Sequence, residues 1–415
     1  MSAFDYRDGV LFAEDVPLAR IAEAHGTPCY VYSRAALEHA YADYARALAG
    51  RDALVCYAVK ANANLAILNL FARLGAGFDI VSGGELARVL AAGGDPAKVV
   101  FSGVGKSPDE MRTALSAGIL CFNVESASEL ETLNDIAGSL GRRAPVSLRV
   151  NPDVDPKTHP YIATGLKTTK FGIPFEEALP LYRRARDLPH VDIHGIDCHI
   201  GSQLLDPAPA AEAAARLLGL AGALAAEGIA LSHIDVGGGM GIRYRDEIAP
   251  TAGDFLAPLL AVLSGRKERL LFEPGRSLVG NAGLLLTRIE VFKHGTEKNF
   301  AVVDAAMNDL LRPSLYDAWH DIRAVAPRTG AAETVFDIVG PVCESGDFLG
   351  HARSLAVAQG DLLAIMSAGA YGMVMSSNYN SRPRAAEVLV DGDRFFVVRE
   401  RERIEQLFAG EHVLP

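Results

Sequence analysis

The chain has 415 residues, 49% of them apolar, and 51 acidic side chains against 40 basic ones, a net charge of −11. That length favours two domains with sizeable cores, and with no long Lys/Arg run nucleic acid is a poor partner. The apolar runs are too short to span a bilayer, the N-terminus MSAFDYRDGV lacks a basic-then-apolar signal pattern, and five cysteines without C-x-x-C spacing argue against a disulfide framework or a metal site and for a reducing, cytoplasmic setting.

The chain begins with two strand-like pieces, GVLFA and PCYVY, before a first helix near Ala35. A unit then recurs in which a short apolar run ends in a polar residue or glycine and an Ala/Leu/Glu/Arg-rich helical stretch follows. The runs are LVCYAVK, GFDIV, VVFSGV, ILCFNV, PVSLRV, VDIHGIDCHI, SHIDVGG and LLFEPG. Eight such units fit a (β/α)8 TIM-like barrel, although a doubly wound sheet would show the same periodicity. After about residue 283 the character changes to short strands with turns between them, including the hairpin signal DGD. The expected domains are a barrel over 35–282 and a β-rich sandwich or Greek-key domain built from 1–34 and 283–415.

In a barrel enzyme the chemistry sits at the C-terminal ends of the strands. Lys60 ends the first run. Asp79 and Ser82 end the second, Asn123 and Glu125 the fourth, and Arg149 and Asn151 the fifth. His199 and Ser202 end the sixth, Gly237, Gly238 and Gly239 follow the seventh, and Glu273, Pro274, Gly275 and Arg276 follow the eighth. The ends of strands seven and eight are the usual phosphate cradle of this architecture. Backbone N–H groups of VGGGMG and the guanidinium of EPGR suit an anion there. A lysine, a phosphate site and a carboxylate in one mouth suggest pyridoxal 5'-phosphate, held by Lys60 as a Schiff base. Glu273 would face the ring nitrogen and favour its protonated form, and His199 would stack on the ring.

The strings YAVKAN, GFDIVSGGEL, HPYIATGLKTTKFGI, HIGSQ, VGGGMGI, FEPGRSLV, DAAMNDLLRPSLY, GPVCESGD and GAYGMVMSSNYN cover nearly the whole chain. With them the chain resembles the fold-type III pyridoxal-phosphate decarboxylases, and within that family the branch acting on meso-diaminopimelate. The resemblance implies an alanine-racemase-like barrel with a C-terminal β domain. It also implies head-to-tail homodimers with shared sites, and removal of carbon dioxide to leave L-lysine. It assigns Lys60 to cofactor attachment, His199 to the ring face, and Ser202, Gly237 to Gly239, Gly275 and Arg276 to the phosphate. Glu273 pairs with the ring nitrogen. Arg276, Arg312 and Tyr316 hold the distal end of the substrate, and Tyr371 touches phosphate and substrate. Cys343 and Glu344 enter from the other subunit, Cys343 as proton donor.

Substrate chemistry agrees with this pattern. Diaminopimelate carries an amine and a carboxylate at each end, so arginine forks suit the distal carboxylate and Glu344 suits the ammonium. An ornithine- or arginine-type decarboxylase would need no clamp for a distal carboxylate, which Arg312 and Tyr316 supply. A racemase would be expected to avoid a carboxylate at the ring nitrogen, and a cofactor-binding regulatory homologue could lose the donor or the clamp. The segment THPYIATGLKTTKFGI is expected to act as a lid that excludes water.

Overall fold

All eight apolar runs form strands. In the computed structural model, which describes residues 3–155 and 170–415, they are β1 (Ala53–Ala58), β2 (Gly77–Ile80), β3 (Val99–Phe101), β4 (Cys121–Val124), β5 (Ala144–Asn151), β6 (Val191–Asp197), β7 (His233–Asp235) and β8 (Arg269–Phe272). Each pairs in parallel with the next, and β8 pairs with β1 to close the barrel. Most of their residues are buried, since side chains fill the barrel and helices cover its wall. That double burial is why these strands read as unbroken apolar runs rather than alternating ones.

Successive side chains point to opposite faces, so every second residue enters the barrel. Gly195 on β6 and His233 on β7 are register partners, and the His233 ring fills the space beside Gly195. A Cβ on Gly195 would lie 2.1 Å from Nε2 of that ring.

The helices Leu65–Arg73, Gly83–Ala91, Pro108–Ala117, Ala127–Ser139, Phe175–Asp187, Ala208–Ala226 and Ala252–Val262 lie between the strands in sequence. Five of them start on a side-chain cap: Asn64, Ser82, Ser107, Ser126 or Thr251 accepts an N–H of the first turn. Ser82 therefore starts a helix, its hydroxyl accepting the Glu85 N–H at 3.2 Å.

Two compact units make up the chain. The barrel unit comprises Ala40–Ile242 and Ile248–Ser277; the β unit comprises the chain up to His39, Arg243–Glu247 and Leu278–Pro415. Within the β unit the main sheet runs, in spatial order, Phe348–Leu355, Thr334–Val339, Asn299–Val303, Gly283–His294, Cys29–Ser33, Ala386–Asp391 and Arg394–Arg399. Leu362–Ile365 also pairs with Gly283–His294 and with Ile322–Ala324. The N-terminal strand Cys29–Ser33 is fully buried, antiparallel to Gly283–His294 and parallel to Ala386–Asp391. DGD is the expected hairpin: Asp391 pairs with Arg394, and Gly392 sits at φ +62°. Leu18, Ile21, Val31, Leu284, Leu286, Val388 and Val390 share its core. Among the described residues no helix is long and apolar enough to cross a membrane. The segment expected to act as a lid lies outside the described residues, except for Lys170–Ile173.

Candidate active site

A single 3₁₀ turn, Val59–Ala61, follows β1 and carries Lys60 at the strand's C-terminal end. Lys60 Nζ lies 2.5 Å from Oδ2 of Asp79 on β2. The lysine side chain is 35% exposed and the aspartate 0%. The amine is thus reachable from solvent while its counterion is held in the wall.

The ends of β6, β7 and β8 are tied together by backbone. His199 Nδ1 accepts the Gly238 N–H at 3.2 Å, and Asp235 Oδ1 accepts the Gly237 N–H at 2.9 Å. A ring nitrogen that accepts places the imidazole proton on Nε2. Burial first, and the charges of Arg149 and Lys60 after it, push His199 well below the usual histidine range, so the ring is neutral. A Cβ on Gly238 would lie 2.1 Å from the Glu273 carbonyl oxygen, so only glycine allows the ends of β7 and β8 to meet this closely. Pro274 accepts the Ala58 N–H at 3.1 Å, which ties β8 back to β1.

With the Gly237 and Gly238 N–H groups engaged, Gly239 and Gly275 carry N–H groups that have no partner among the described residues. Beside them Arg276, 5% exposed, donates to Ser202 Oγ from Nε at 3.2 Å and Nη2 at 3.0 Å.

Glu273 is 6% exposed, and its Oε1 accepts from Asn123 Nδ2 at 3.4 Å. Two acids that the sequence did not single out stand next to it. Asp197 and Asp235 are register partners on β6 and β7 and point into the barrel, and carboxylate oxygens of Asp197, Asp235 and Glu273 all lie within 4.8 Å of one another. Burial, then the neighbouring carboxylates, push Glu273 and Asp197 well above the usual carboxylate range. Burial pushes Asp235 up to about 7, against the Gly237 N–H and a side-chain hydrogen bond with Glu273, which both lower it. The signal that could have found them is an acidic residue inside an apolar run, in GIDCHI and HIDVGG.

Glu125 and Arg149 form a buried ion pair at 3.0 Å, and Glu125 also accepts the N–H groups of Gly103 and Gly172. Asn151 Oδ1 accepts the Asp153 N–H at 2.9 Å and shapes the turn after β5. These side chains organise the wall of the mouth.

In the β unit, Arg312 opens the short helix Arg312–Tyr316 and is buried. Its guanidinium carbon lies 4.9 Å from the centre of the Tyr244 ring and 5.8 Å from that of Tyr316. Its Nε donates to His320 Nε2 at 3.3 Å, a partner that sequence reading missed. Tyr371 adopts φ +54°, a left-handed conformation that a tyrosine keeps only where its surroundings impose it. Cys343 and Glu344 are exposed, and the Cys343 N–H donates to Asn380 Oδ1 at 2.7 Å.

The barrel residues fit pyridoxal 5'-phosphate. Lys60 offers an amine, Gly239 and Gly275 offer N–H groups unpaired among the described residues, Arg276 offers a buried cation, and the crowded carboxylates around Glu273 suit a positively charged ring nitrogen. Comparison with known proteins agrees. The profile of the pyridoxal-dependent decarboxylase pyridoxal-binding domain matches residues 34–280. The diaminopimelate decarboxylase of Pseudomonas aeruginosa is 63% identical over all of both chains. The crystal structure of diaminopimelate decarboxylase from M. jannaschii in co-complex with L-lysine is 39% identical and superposes with a TM-score of 0.95 over 100% of this chain and 98% of that one. The Helicobacter pylori diaminopimelate decarboxylase complexed with L-lysine is 44% identical, with a TM-score of 0.91 over 94% of this chain and 98% of that one. The chain belongs to the diaminopimelate decarboxylase family of pyridoxal-dependent carboxy-lyases.

Proposed function

We propose that this chain removes carbon dioxide from meso-2,6-diaminopimelate and leaves L-lysine, using pyridoxal 5'-phosphate. The observation that supports this most directly is the barrel mouth, where Lys60 on Asp79 shares one end of the barrel with the Gly239, Gly275 and Arg276 donors and with Glu273. When bound, the cofactor supplies an electron sink for the pair released as carbon dioxide leaves.

The chain's own groups do the rest. Lys60 Nζ would hold the cofactor covalently, and Asp79, 2.5 Å from it, orients the amine. Gly239, Gly275, Arg276 and Ser202 bind the phosphate. The neutral His199 ring would pack on the cofactor's face without adding a charge there. Glu273 would face the ring nitrogen and favour its protonated form. Arg312 and Arg276 suit the substrate's distal carboxylate, and Tyr316 and Tyr371 add hydroxyl groups. Glu344 suits the distal ammonium, and Cys343 Sγ gives its proton to the carbon that has lost carbon dioxide. The exposure of Cys343 and Glu344 supports their service in the site of a second copy, in a cytoplasmic homodimer.

The test is an absorbance spectrum of the purified protein, with carbon dioxide and lysine assayed after meso-diaminopimelate is added. A cofactor band present in the native chain and absent in Lys60→Ala, with lysine formed only by the former, is the expected result. A band without lysine formation would overturn the substrate, and no band in cofactor-supplemented protein would overturn the attachment.

A further inference from the structure

The interior behind Glu273 carries more acid than it can ionise. Asp235 and Asp197 are 0% and 1% exposed, so water does not solvate them. The groups that bear on Asp235 and Glu273 come from around the barrel: Cys56 is on β1 and Lys60 on the turn after it, Asp79 is on β2, Cys121 on β4, Arg149 on β5, Asp197 and Cys198 at β6 and Glu273 past β8. Two of these are cations, and both are committed elsewhere. Lys60 is at 2.5 Å from Asp79, and Arg149 is at 3.0 Å from Glu125 with Asp197 farther off at 4.0 Å. Among the described residues no cation lies within ion-pair reach of Asp235 or Glu273.

Two unsolvated carboxylates this close, with no cation between them, cannot both stay ionised. One proton must sit in the pair. With no cation beside it Glu273 is raised further than Asp235 and lowers Asp235 through a side-chain bond, so the proton then favours Glu273; a cation at the ring nitrogen reverses that order, and the donors decide where the proton goes. Asp235 Oδ1 already accepts the Gly237 N–H, whereas its Oδ2 meets no donor among the described residues. Glu273 has acceptor work of its own, taking the Asn123 amide on Oε1. In the proposed function it also faces the cofactor's ring nitrogen.

We infer that Asp235 is a positioning residue that stays a neutral acid and donates through Oδ2 to Glu273, a role that rests on the proposed place of Glu273 at the ring nitrogen. A carboxylate that receives such a bond is a weaker base than a bare one. Glu273 then leaves the proton on the ring nitrogen instead of taking it, which keeps the electron sink at full strength. Ser147, a fully buried hydroxyl on the same inward face of β5 as Arg149 and without a partner among the described residues, lines this polar interior too.

Infrared difference spectroscopy of the cofactor-loaded chain tests the inference. A carbonyl band of a buried protonated carboxylic acid, shifted in heavy water, is expected in the native enzyme near neutral pH, with one such band lost in Asp235→Asn and kept in Asp197→Asn and in Asp309→Asn, the last substitution removing the separate contribution of the β unit. The cofactor's own absorbance, recorded on the same samples, tests the wider reading separately. A native enzyme that is loaded but shows no such band overturns the inference even if Asp235→Asn does not fold. So does a band that survives Asp235→Asn and disappears in Asp197→Asn, or a stoichiometric divalent cation in the purified enzyme, because a metal would then replace the proton.

Discussion

Asp309 of the β unit shows how one buried acid makes stability depend on pH. It is 1% exposed, its Oδ2 accepts the Ala306 N–H at 3.0 Å, and its Oδ1 has no partner among the described residues. Burial pushes its carboxyl up to about 7. An unfolded aspartate titrates near about 4. The folded chain therefore holds this proton more tightly, so the contribution is full below about pH 4 and is lost as pH rises through about 7. Asp309→Asn should raise the unfolding free energy at pH 8 by on the order of 3 kcal/mol and change it little at pH 4. Urea unfolding at both values checks this, and an equal effect at both would contradict it. At this scale the sequence was most legible where a reactive residue ends an apolar run, as Lys60 and Glu273 do. Asp197 and Asp235 escaped because their inward direction depends on strand register, which composition does not reveal.

The helix Pro108–Ala117 is bounded by its own sequence. Ser107 Oγ accepts the Glu110 N–H at 3.3 Å, Glu110 Oε2 accepts the Ser107 N–H at 2.9 Å, proline stands at the first helical position, and Gly118 ends the helix in a left-handed conformation. Ser107→Ala should lower stability by about 1 kcal/mol. A lower urea midpoint with an unchanged slope would show it, and an unchanged midpoint would mean that the cap adds nothing. Signals of this kind made the barrel units readable. The strands Phe348–Leu355 and Ile322–Ala324 were not readable, because the first mixes Gly350, His351 and Arg353 into its pattern and the second is three residues long. Neither has the doubly buried run that marks a barrel strand, and both gain strand structure from their neighbours in the sheet.

The count of eight units was legible in the sequence, but closure was not: it depends on the pairing of β8 with β1 across the full length of the barrel segment. The proposed division of labour between copies is a whole-molecule matter as well. If Lys60 and Cys343 of one site come from different subunits, Lys60→Ala and Cys343→Ala are each nearly inactive alone. Random re-pairing of the two makes about half the dimers mixed, each with one intact site, so roughly a quarter of native activity should return. Turnover measured after unfolding and refolding the mixture checks this, and no recovery would place both residues in sites of one subunit.

The strand Cys29–Ser33 lies between Gly283–His294 and Ala386–Asp391 in the sheet. During synthesis it leaves the ribosome long before either neighbour exists, and the entire barrel segment is made in between. Its five buried residues, CYVYS, are a ready β-pairing edge throughout that wait. The barrel can close on the nascent chain as soon as β8 emerges, but the β unit can assemble only when translation is almost over. A ribosome that stops after the barrel segment ends at Ser277 but before residue 386 therefore releases a chain with a closed barrel and an open, sticky sheet, a product for chaperones and proteases rather than a smaller enzyme.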